Sequence, residues 1–509
     1  MAVTLPRNLP ESLADCHALI AALANDNHSL QSRIDYLARQ LFGRKSERID
    51  PNQLALFEPA QAQAPAQAEE DEEMETITRP KRKGHGRKPL PKDLPRERVV
   101  HDLTPEEKLC PECGTERKAF GEDISEQLDY VPASIKVIEH VRPKYACPCC
   151  GEHVAQAQKP AQPIEKGLAA PGLIAHVITS KYCDHLPLHR QEKILARHGI
   201  ELSRKTLCGW TLQAAALLAP VVFAMTDRVL QSRVIHTDDT PVRVQDPDKK
   251  RTTRKAYLWP YVGDADNPYT VFGYTPTRCK DGPESFLQAF TGTQEKPRYL
   301  QCDAYPGYNG LFAKERHLLE VACWAHARRK FHDAKNSDPV RANLALLKIG
   351  KLFELERVAR EQGLGDAARL TMRQQDATPL LDELKAWMEQ TQQEVLPKSP
   401  MGEATNYALT LWEELNRYIT QPFLNIDNNA AERAIRGIAV GRKNWLFLGS
   451  DAGGHAAAVH FSLIASAQRH GLDPFAYLRS LLTHIPTWPN RDIDKLLPDQ
   501  WAQTFGQNR

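Results

Sequence analysis

Three acids in this chain stand in contexts suited to holding divalent metal. Asp238 lies in His236-Thr-Asp-Asp-Thr-Pro241, at the end of a short apolar run. Asp303 lies in Gln301-Cys-Asp-Ala-Tyr-Pro-Gly-Tyr308, again just past an apolar run, and Glu432 lies in Asp427-Asn-Asn-Ala-Ala-Glu-Arg-Ala-Ile-Arg436, which reads as a helix. Breaking or making a phosphodiester needs an activated oxygen nucleophile in line with a stabilised leaving oxygen. Two Mg²⁺ ions about 3.5–4 Å apart do both, and carboxylates are their usual protein ligands. One acid at a strand end is ordinarily a cap or a surface charge. Three of them, if brought together, make a catalytic metal site.

A second set is made of thiols. Cys110-Pro-Glu-Cys113-Gly and Cys147-Pro-Cys-Cys150-Gly are two knuckles with the same proline and glycine. Four thiolates form a closed tetrahedral set that suits structural Zn²⁺, with no open position for a substrate. Cys149 is left over. The alternating apolar residues between the knuckles, Leu128, Tyr130, Val131, Ile135, Val137 and Val141, predict a hairpin.

The acids need elements to position them. Val234–Thr237 reads as a strand ending at Asp238, Lys255–Val262 and Thr270–Tyr274 as two more, and Glu284–Phe290 as a helix. Tyr299–Cys302 is a strand ending at Asp303, and after a further helix Glu320–Trp324 is another strand. The order βββαβαβ, with acids ending the first and fourth strands, is the ribonuclease-H-like plan. The pattern from Asp338 to about Tyr418 is wholly helical and reads as an insertion, after which a core helix resumes at Asp427. On that helix Asn428 and Arg436 flank Glu432 by four residues and share its face. Ala431, Ala434, Ile435 and Ile438 form its packed side. His326 reads as a structural histidine.

Ahead of this core, Leu13, Ile20, Asn27, Ile34 and Leu41 fall seven apart, with Cys16, Leu23, Leu30 and Leu37 three further on. Apolar a and d positions of this kind predict a parallel two-stranded zipper, with Asn27 fixing register. Residues 59–68 and the acidic run 69–75 are too polar to pack. Residues 79–98 then carry nine Lys/Arg and two acids. This stretch, with Arg79, Lys81, Arg82, Lys83, Arg87 and Lys88, is either a minor-groove arm or a solvated linker. Gly172–Tyr182, Leu188–Arg197, the turn at His198-Gly199-Ile200 and a helix capped by Ser203 outline a helix-turn-helix, a pattern shared by any trihelical bundle. Two more basic clusters, Arg328, Arg329 and Lys330, and Arg433, Arg436, Arg442 and Lys443, are either phosphate contacts or solvated faces.

Several phrases in this order (H-T-D-D-T-P, L-Q-C-D-A-Y-P-G-Y-N, C-W-A-H-A-R-R-K-F, D-N-N-A-A-E-R-A-I-R and G-R-K-N-W-L-F) closely resemble the insertion-sequence-66 family of bacterial transposases. The resemblance extends over nearly the whole chain, including L-F-G-R-K-S-E-R at 41–48 and D-P-F-A-Y-L at 473–478. It implies a DNA transposase of the Asp-Asp-Glu type, whose triad falls on Asp238, Asp303 and Glu432. Family members often have Glu where this chain has Asp239. It further implies two catalytic Mg²⁺ ions, structural Zn²⁺ on Cys110, Cys113, Cys147 and Cys150, and double-stranded DNA (transposon ends and target) as partner. A homodimer or larger assembly through the zipper, and small companion transposition proteins, are implied as well. The reading from another class is a catalytically silent DNA-binding regulator or relic.

Length and composition agree. A chain of 509 residues exceeds one core and divides into several domains. We place a coiled coil (leucine zipper) at 1–50, a disordered acidic-then-basic linker at 51–100, a zinc-binding domain at 101–165 and a helical, helix-turn-helix-like module at 166–228. A ribonuclease-H-like catalytic domain follows at 229–450 with its insertion at about 338–418, then a C-terminal domain at 451–509. The fold class is multidomain α/β. No run of eighteen apolar residues and no basic-then-apolar N-terminal leader is present, so the expected location is the bacterial cytoplasm, at the nucleoid during action, with no membrane partner. Eleven cysteines without a leader argue against a disulfide framework.

Overall fold

The computed structural model describes residues 135–505 except 143, 146–154, 166, 247, 250 and 251. The zipper, the linker with its basic arm, and all four zinc-knuckle cysteines lie outside the described residues. The described residues from Glu139 onward belong to one compact unit. The hairpin expected before Tyr145 is not formed by its described part, since residues 135–142 have no regular structure. Instead β1 (Lys144–Tyr145) pairs antiparallel with β2 (Ala155–Gln156), the two strands flanking in sequence the segment that carries Cys147 and Cys150.

Helices α1 (Pro171–Tyr182) and α2 (Leu188–Arg197) are followed by a turn in which Gly199 takes a positive φ of 74°. Ser203 then caps α3 (Arg204–Leu230), its side chain accepting from the Thr206 N–H at 3.1 Å. The third helix is longer than a helix-turn-helix needs. It runs 27 residues, and Leu207, Leu218, Val221, Met225 and Val229 are fully buried along it. By length and composition α3 could cross a membrane, but Leu207, Trp210, Leu218, Val221, Met225 and Val229 belong to the core of this fold, while Phe223 is exposed.

The central sheet has six strands: β3 (Val234–Thr237), β4 (Thr240–Gln245), β5 (Thr253–Val262), β6 (Thr270–Thr275), β7 (Arg298–Gln301) and β8 (Leu318–Val321). Strands β3, β7 and β8 are parallel neighbours, while β5 runs antiparallel to β3, β4 and β6. Every residue of β3 is buried, as expected of a parallel strand covered on both faces. Strand β4 lies in a stretch where the sequence reading placed no strand. Its period-2 pattern, with Val242 and Val244 buried and Arg243 and Gln245 exposed, is nonetheless that of a half-buried strand. The helix after β6 is short and early, α4 (Asp281–Phe286). Where a helix was expected after Asp303, Pro306–Phe312 and Lys314–Arg316 form 3₁₀ turns, in keeping with a Pro and two Gly in the first. Strand β8 ends at Val321, and Trp324 starts α5 (Trp324–Asp333).

The sheet separates two apolar clusters. Ile235, Leu300 and Leu318 join α1–α3 and residues of the C-terminal segment on one side, so the boundaries expected at 228 and 450 fall inside one shared core. Val234, Tyr299 and Val321 join the inserted helices on the other. The insertion comprises α6 (Pro339–Glu361), α7 (Asp366–Met372), a π-helical turn at Arg373–Ala377, α8 (Thr378–Glu394), α9 (Pro400–Thr410) and α10 (Trp412–Asn416). At its centre Arg373 is fully buried. Its guanidinium meets Glu356 at 2.6 and 2.9 Å and donates to the carbonyls of Tyr418, Gln421 and Leu424 at 2.7–2.8 Å, using all five N–H groups. The loop that leads into the Glu432 helix is thereby tied to α6.

That helix is α11 (Asn429–Trp445); α12 (Asp451–Arg469), α13 (Pro474–His484) and α14 (Pro498–Phe505) follow. Strand β6 lies at the sheet edge, with N–H groups that need acceptors. Ser462 and Ser466, one turn apart on α12, supply them, accepting from Phe272 N at 2.8 Å and Thr270 N at 3.1 Å.

Replacing Arg373 by Met should destabilise the chain by about 3–5 kcal/mol, because Glu356 is left charged and buried; pairing it with Glu356→Leu should recover much of the loss. Burial raises the Glu356 pKa, but the hydrogen bonds and charge of Arg373 and then Arg369 outweigh it and hold the carboxyl below its ordinary value. Its stabilisation is therefore present above the ordinary carboxylate range and lost as pH falls through the lowered value. Urea unfolding at neutral and acidic pH measures both effects.

Candidate metal centre

Register brings the two aspartates together. His236 on β3 pairs with Gln301 on β7 in a parallel ladder, and Asp238 and Asp303 each follow by two residues, so side-chain alternation sends both to one side. Oxygens of Asp238, Asp239 and Asp303 all lie within 4.8 Å of one another. The chain turns sharply past each strand: the Asp239 N–H donates to Asp238 Oδ1 at 2.7 Å, and the Tyr305 N–H to Asp303 Oδ1 at 3.2 Å across Ala304, a non-glycine at φ 59°. Positive φ on alanine is strained, and here the strain aims an acid.

Burial, followed by the charges of Asp303 and Asp239, raises the Asp238 pKa to about 7. A raised carboxyl pKa has the opposite sign to a salt-bridged one: without a cation, this group costs stability as pH climbs from about 4 to about 7, and cation binding expels its proton. Arg278 supplies the cation that offsets the repulsion. It donates to Asp239 Oδ1 from Nε at 2.8 Å and Nη2 at 2.5 Å, and its Nη2 lies 3.5 Å from Asp303 Oδ2. The guanidinium stacks 4.1 Å from the Tyr305 ring centroid, and Tyr305 donates its hydroxyl to the Arg278 carbonyl.

Glu432 stands outside the three-aspartate cluster and faces His326 instead, with Nε2 3.3 Å from Oε1. The approach is close enough for an ion pair but poorly aligned, and Oε1 is buried without a hydrogen bond. The Glu432 carboxylate, with further help from Asp238 and Asp303, raises the His326 pKa despite burial. His326 in turn holds Glu432 below its ordinary value. The histidine read as structural thus contacts Glu432 and feels the charges of Asp238 and Asp303.

Glu432 is positioned through Asn428, which is fully buried at the start of α11. Asn428 Nδ2 donates to the Thr237 carbonyl at 2.8 Å, so its Oδ1 must accept from His236 Nδ1 at 3.2 Å. Burial pushes the His236 pKa down to about 4, which keeps the ring neutral in that tautomer. The Asn428 N–H donates to Cys323 Sγ, and Gln301 donates to the Asn425 carbonyl at 2.7 Å. Asp427, not Asn428, caps the helix by accepting from the Asn429 N–H. One buried amide therefore fastens α11 to the strand that carries Asp238.

A family model described as "Transposase IS66 family" matches residues 166–456, which include all these acids. The chain belongs to the IS66 transposase family. Further models described as zinc-finger binding domain of transposase IS66, Transposase C of IS166 homeodomain, and IS66 C-terminal element match residues 107–151, 29–99 and 462–498. Among relatives from Sinorhizobium fredii (strain NBRC 101917 / NGR234), "Uncharacterized protein y4hP" is 32% identical over 507 residues, covering 93% of this chain and 89% of its own. "Uncharacterized protein y4qI" is 36% identical over 437 residues, covering 82% and 78%. This IS66-family chain is thus a transposase with zinc-finger and zipper DNA-binding modules.

Not every expected contact residue in this IS66-family site faces outward. Arg442 donates to Thr240 Oγ1 and the Pro241 carbonyl at 2.9 and 2.7 Å, bracing β4 against α11. Arg433, Arg436 and Lys443 are exposed on α11, and Arg328 and Arg329 lie on α5, not directly after a strand. Asp239 and His326 were adjacent to recognised motifs and lacked only geometry. Arg278, in an otherwise featureless loop, carried no signal.

Replacing Arg278 by Met should lower the melting temperature in EDTA, a loss on the order of 1 kcal/mol for a partly exposed ion pair, and Mg²⁺ or Mn²⁺ should restore it. If metal gives no more protection to the variant than to the parent chain, Arg278 is not standing in for a cation. Separately, Asn428→Ala should cost about 1–3 kcal/mol in urea unfolding, since the His236 N–H and Thr237 carbonyl lose their partner in a dry site.

Proposed function

We propose that this IS66-family chain is a metal-dependent polynucleotidyl transferase that cuts DNA at transposon ends and joins the ends to target DNA. The observation that carries this reading is the convergence of Asp238, Asp239 and Asp303 within 4.8 Å. The sheet order β6-β5-β3-β7-β8, with acids after β3 and β7, supports a ribonuclease-H-like core. Clustered carboxylates, one of them raised to about 7, and the buried, unbonded Glu432 Oε1 form a donor set that fits hard divalent cations such as Mg²⁺.

Two Mg²⁺ ions, when bound, would activate the attacking oxygen and stabilise the leaving one. The chain's own part is to hold Asp238, Asp303 and Glu432 as ligands with Asp239 beside them, and to move Arg278 off Asp239 and Asp303. His326 is placed to release Glu432 and keep a proton near the site. Arg433, Arg436 and Lys443 on α11, with Arg328 and Arg329 on α5, would bind backbone phosphates. In the first step water displaces the 3′ oxygen at the transposon end, leaving a 3′-hydroxyl and a 5′-phosphate. In the second, that hydroxyl displaces a 3′ oxygen of the target, so one phosphodiester forms as one breaks and no ATP is consumed.

The same reading places structural Zn²⁺ on Cys110, Cys113, Cys147 and Cys150, and gives recognition of terminal repeats to the zinc module, the arm at Arg79–Lys88 and the helices of 166–228. It pairs subunits through the zipper, enlists small companion proteins, and puts the work in the bacterial cytoplasm at the nucleoid.

Asp303→Asn should abolish both end cleavage and strand transfer, by about 10³-fold or more, while leaving DNA binding intact. The assay uses purified protein, Mg²⁺ and a duplex copied from the boundary of the DNA element that encodes the chain. Full activity in the variant would remove Asp303 from the site.

A further inference from the structure

The helix that carries Glu432 ends in an unusual way. After Trp445, Leu446 adopts φ 64° and ψ −50°, and the Phe447 N–H donates to the Trp445 carbonyl at 2.7 Å. This is a γ-turn of the rare, strained hand, with a bulky leucine where glycine would be relaxed. The two side chains at the turn are apolar and face solvent, Leu446 at 64% and Phe447 at 46% exposure.

The turn is firmly held on both sides. The Leu446 N–H continues the helix by donating to the Arg442 carbonyl, while buried Leu448 exchanges hydrogen bonds with the edge of β4, donating to the Arg243 carbonyl and accepting from the Gln245 N–H, both at 2.8 Å. A strained, exposed apolar pair on a rigid base contributes nothing to the core. Beside it runs a groove of about 260 Å³ lined by Pro241, Val242, Arg243, Lys255, Arg442 and Leu446, with no acid; Arg442 is spent on β4, but Arg243 and Lys255 are exposed there, as is Lys443 one turn back on the helix. Such a surface fits a polyanion that also offers an apolar interior at its point of contact, which describes a DNA duplex with its stacked bases.

We infer that Leu446 and Phe447 form a wedge that enters the base stack of bound DNA, with Arg243, Lys255 and Lys443 gripping the phosphates beside it. Apolar wedges unstack a base step and bend or open the duplex there. Fourteen residues of helix separate Glu432 from Leu446, about 21 Å at the α-helical rise, a span of roughly six base pairs. The wedge therefore works on the same DNA end as the metal centre, distorting it a short way from the scissile phosphate. The inference rests on the DNA-cutting reading above.

The test places 2-aminopurine, whose fluorescence rises on unstacking, at each position in turn over the first helical turn of the boundary duplex. The full chain in the Asp303→Asn background serves as the parent, so that DNA is bound and not cut. One step should brighten several-fold on binding, and the brightening should vanish in the double variant Leu446→Gly, Phe447→Ser while gel-shift binding persists. Leu446→Gly alone should melt no lower than the parent, since glycine adopts this φ freely, so loss of signal is not loss of fold. Bound duplex that stays dark at every position would overturn the wedge while leaving the cleavage reading intact, provided the chain with native Asp303 still cuts. Brightening that survives the double variant would also overturn it, as would a change of oligomeric state in that variant with the fluorescence unaltered, which would make the turn a protein contact. Failure of the native chain to bind or cut the duplex at all would remove the cleavage reading and the wedge together.

Discussion

Carboxylates crowded within 4.8 Å repel one another, and burial sharpens the repulsion by removing the water that would screen it. No local preference of the chain favours such an arrangement, so the energy to hold it must come from elsewhere in the fold. It comes first from the parallel pairing of β3 with β7, whose residues alternate between two different apolar clusters, so that a slip by one would send each side chain into packing shaped for another. The aspartates are carried to one place because the strands beneath them cannot be elsewhere. Arg278 then offsets part of the charge, and Asp238 sheds its own by holding a proton near neutral pH. The cluster is held in electrostatic tension that the fold sustains.

The third acid follows a different logic. Glu432 comes from a helix separated from β7 by more than a hundred residues, most of them in the helical insertion. Two buried polar fastenings set where that helix begins. Arg373 collects the carbonyls of the loop at 418–424 and ties them to Glu356, and Asn428 links the first residue before α11 to His236 and Thr237 on β3. The insertion is thus part of the scaffold of the candidate site: its core cluster packs one face of the sheet and leads the chain to the start of the Glu432 helix. Fully satisfied polar groups of this kind specify a geometry that apolar packing alone leaves loose.

Much of this was legible residue by residue. Strands β3, β5, β6 and β7 follow from runs of β-branched and aromatic residues, and their ends from the polar residues that stop them. Ser203 as a cap and Gly199 as a turn are local chemistry and stand as read. The misses are also physical. Strand β4 was passed over because its six residues alternate only two buried valines with exposed polar side chains, a short and weak period-2 signal. The Pro and two glycines of 306–312 shortened an expected helix to 3₁₀ turns. The helix-turn-helix outline at 171–210 came without any hint that α3 would continue for 27 residues into the shared core, since amphipathic spacing does not say which partner a face will meet.

Asp238, Asp303 and Glu432 could be picked out from the sequence because each sits in a motif whose neighbours dictate a strand end or a first helical turn, and those preferences act over a few residues. The folded chain alone decided that Asp239 joins the cluster, that Arg278 offsets its charge, that His326 contacts Glu432, and that Arg442 braces a strand. These outcomes depend on distances between segments tens to hundreds of residues apart. Coulomb and hydrogen-bond energies fall off over a few ångströms in space, a separation that spacing along the chain does not encode.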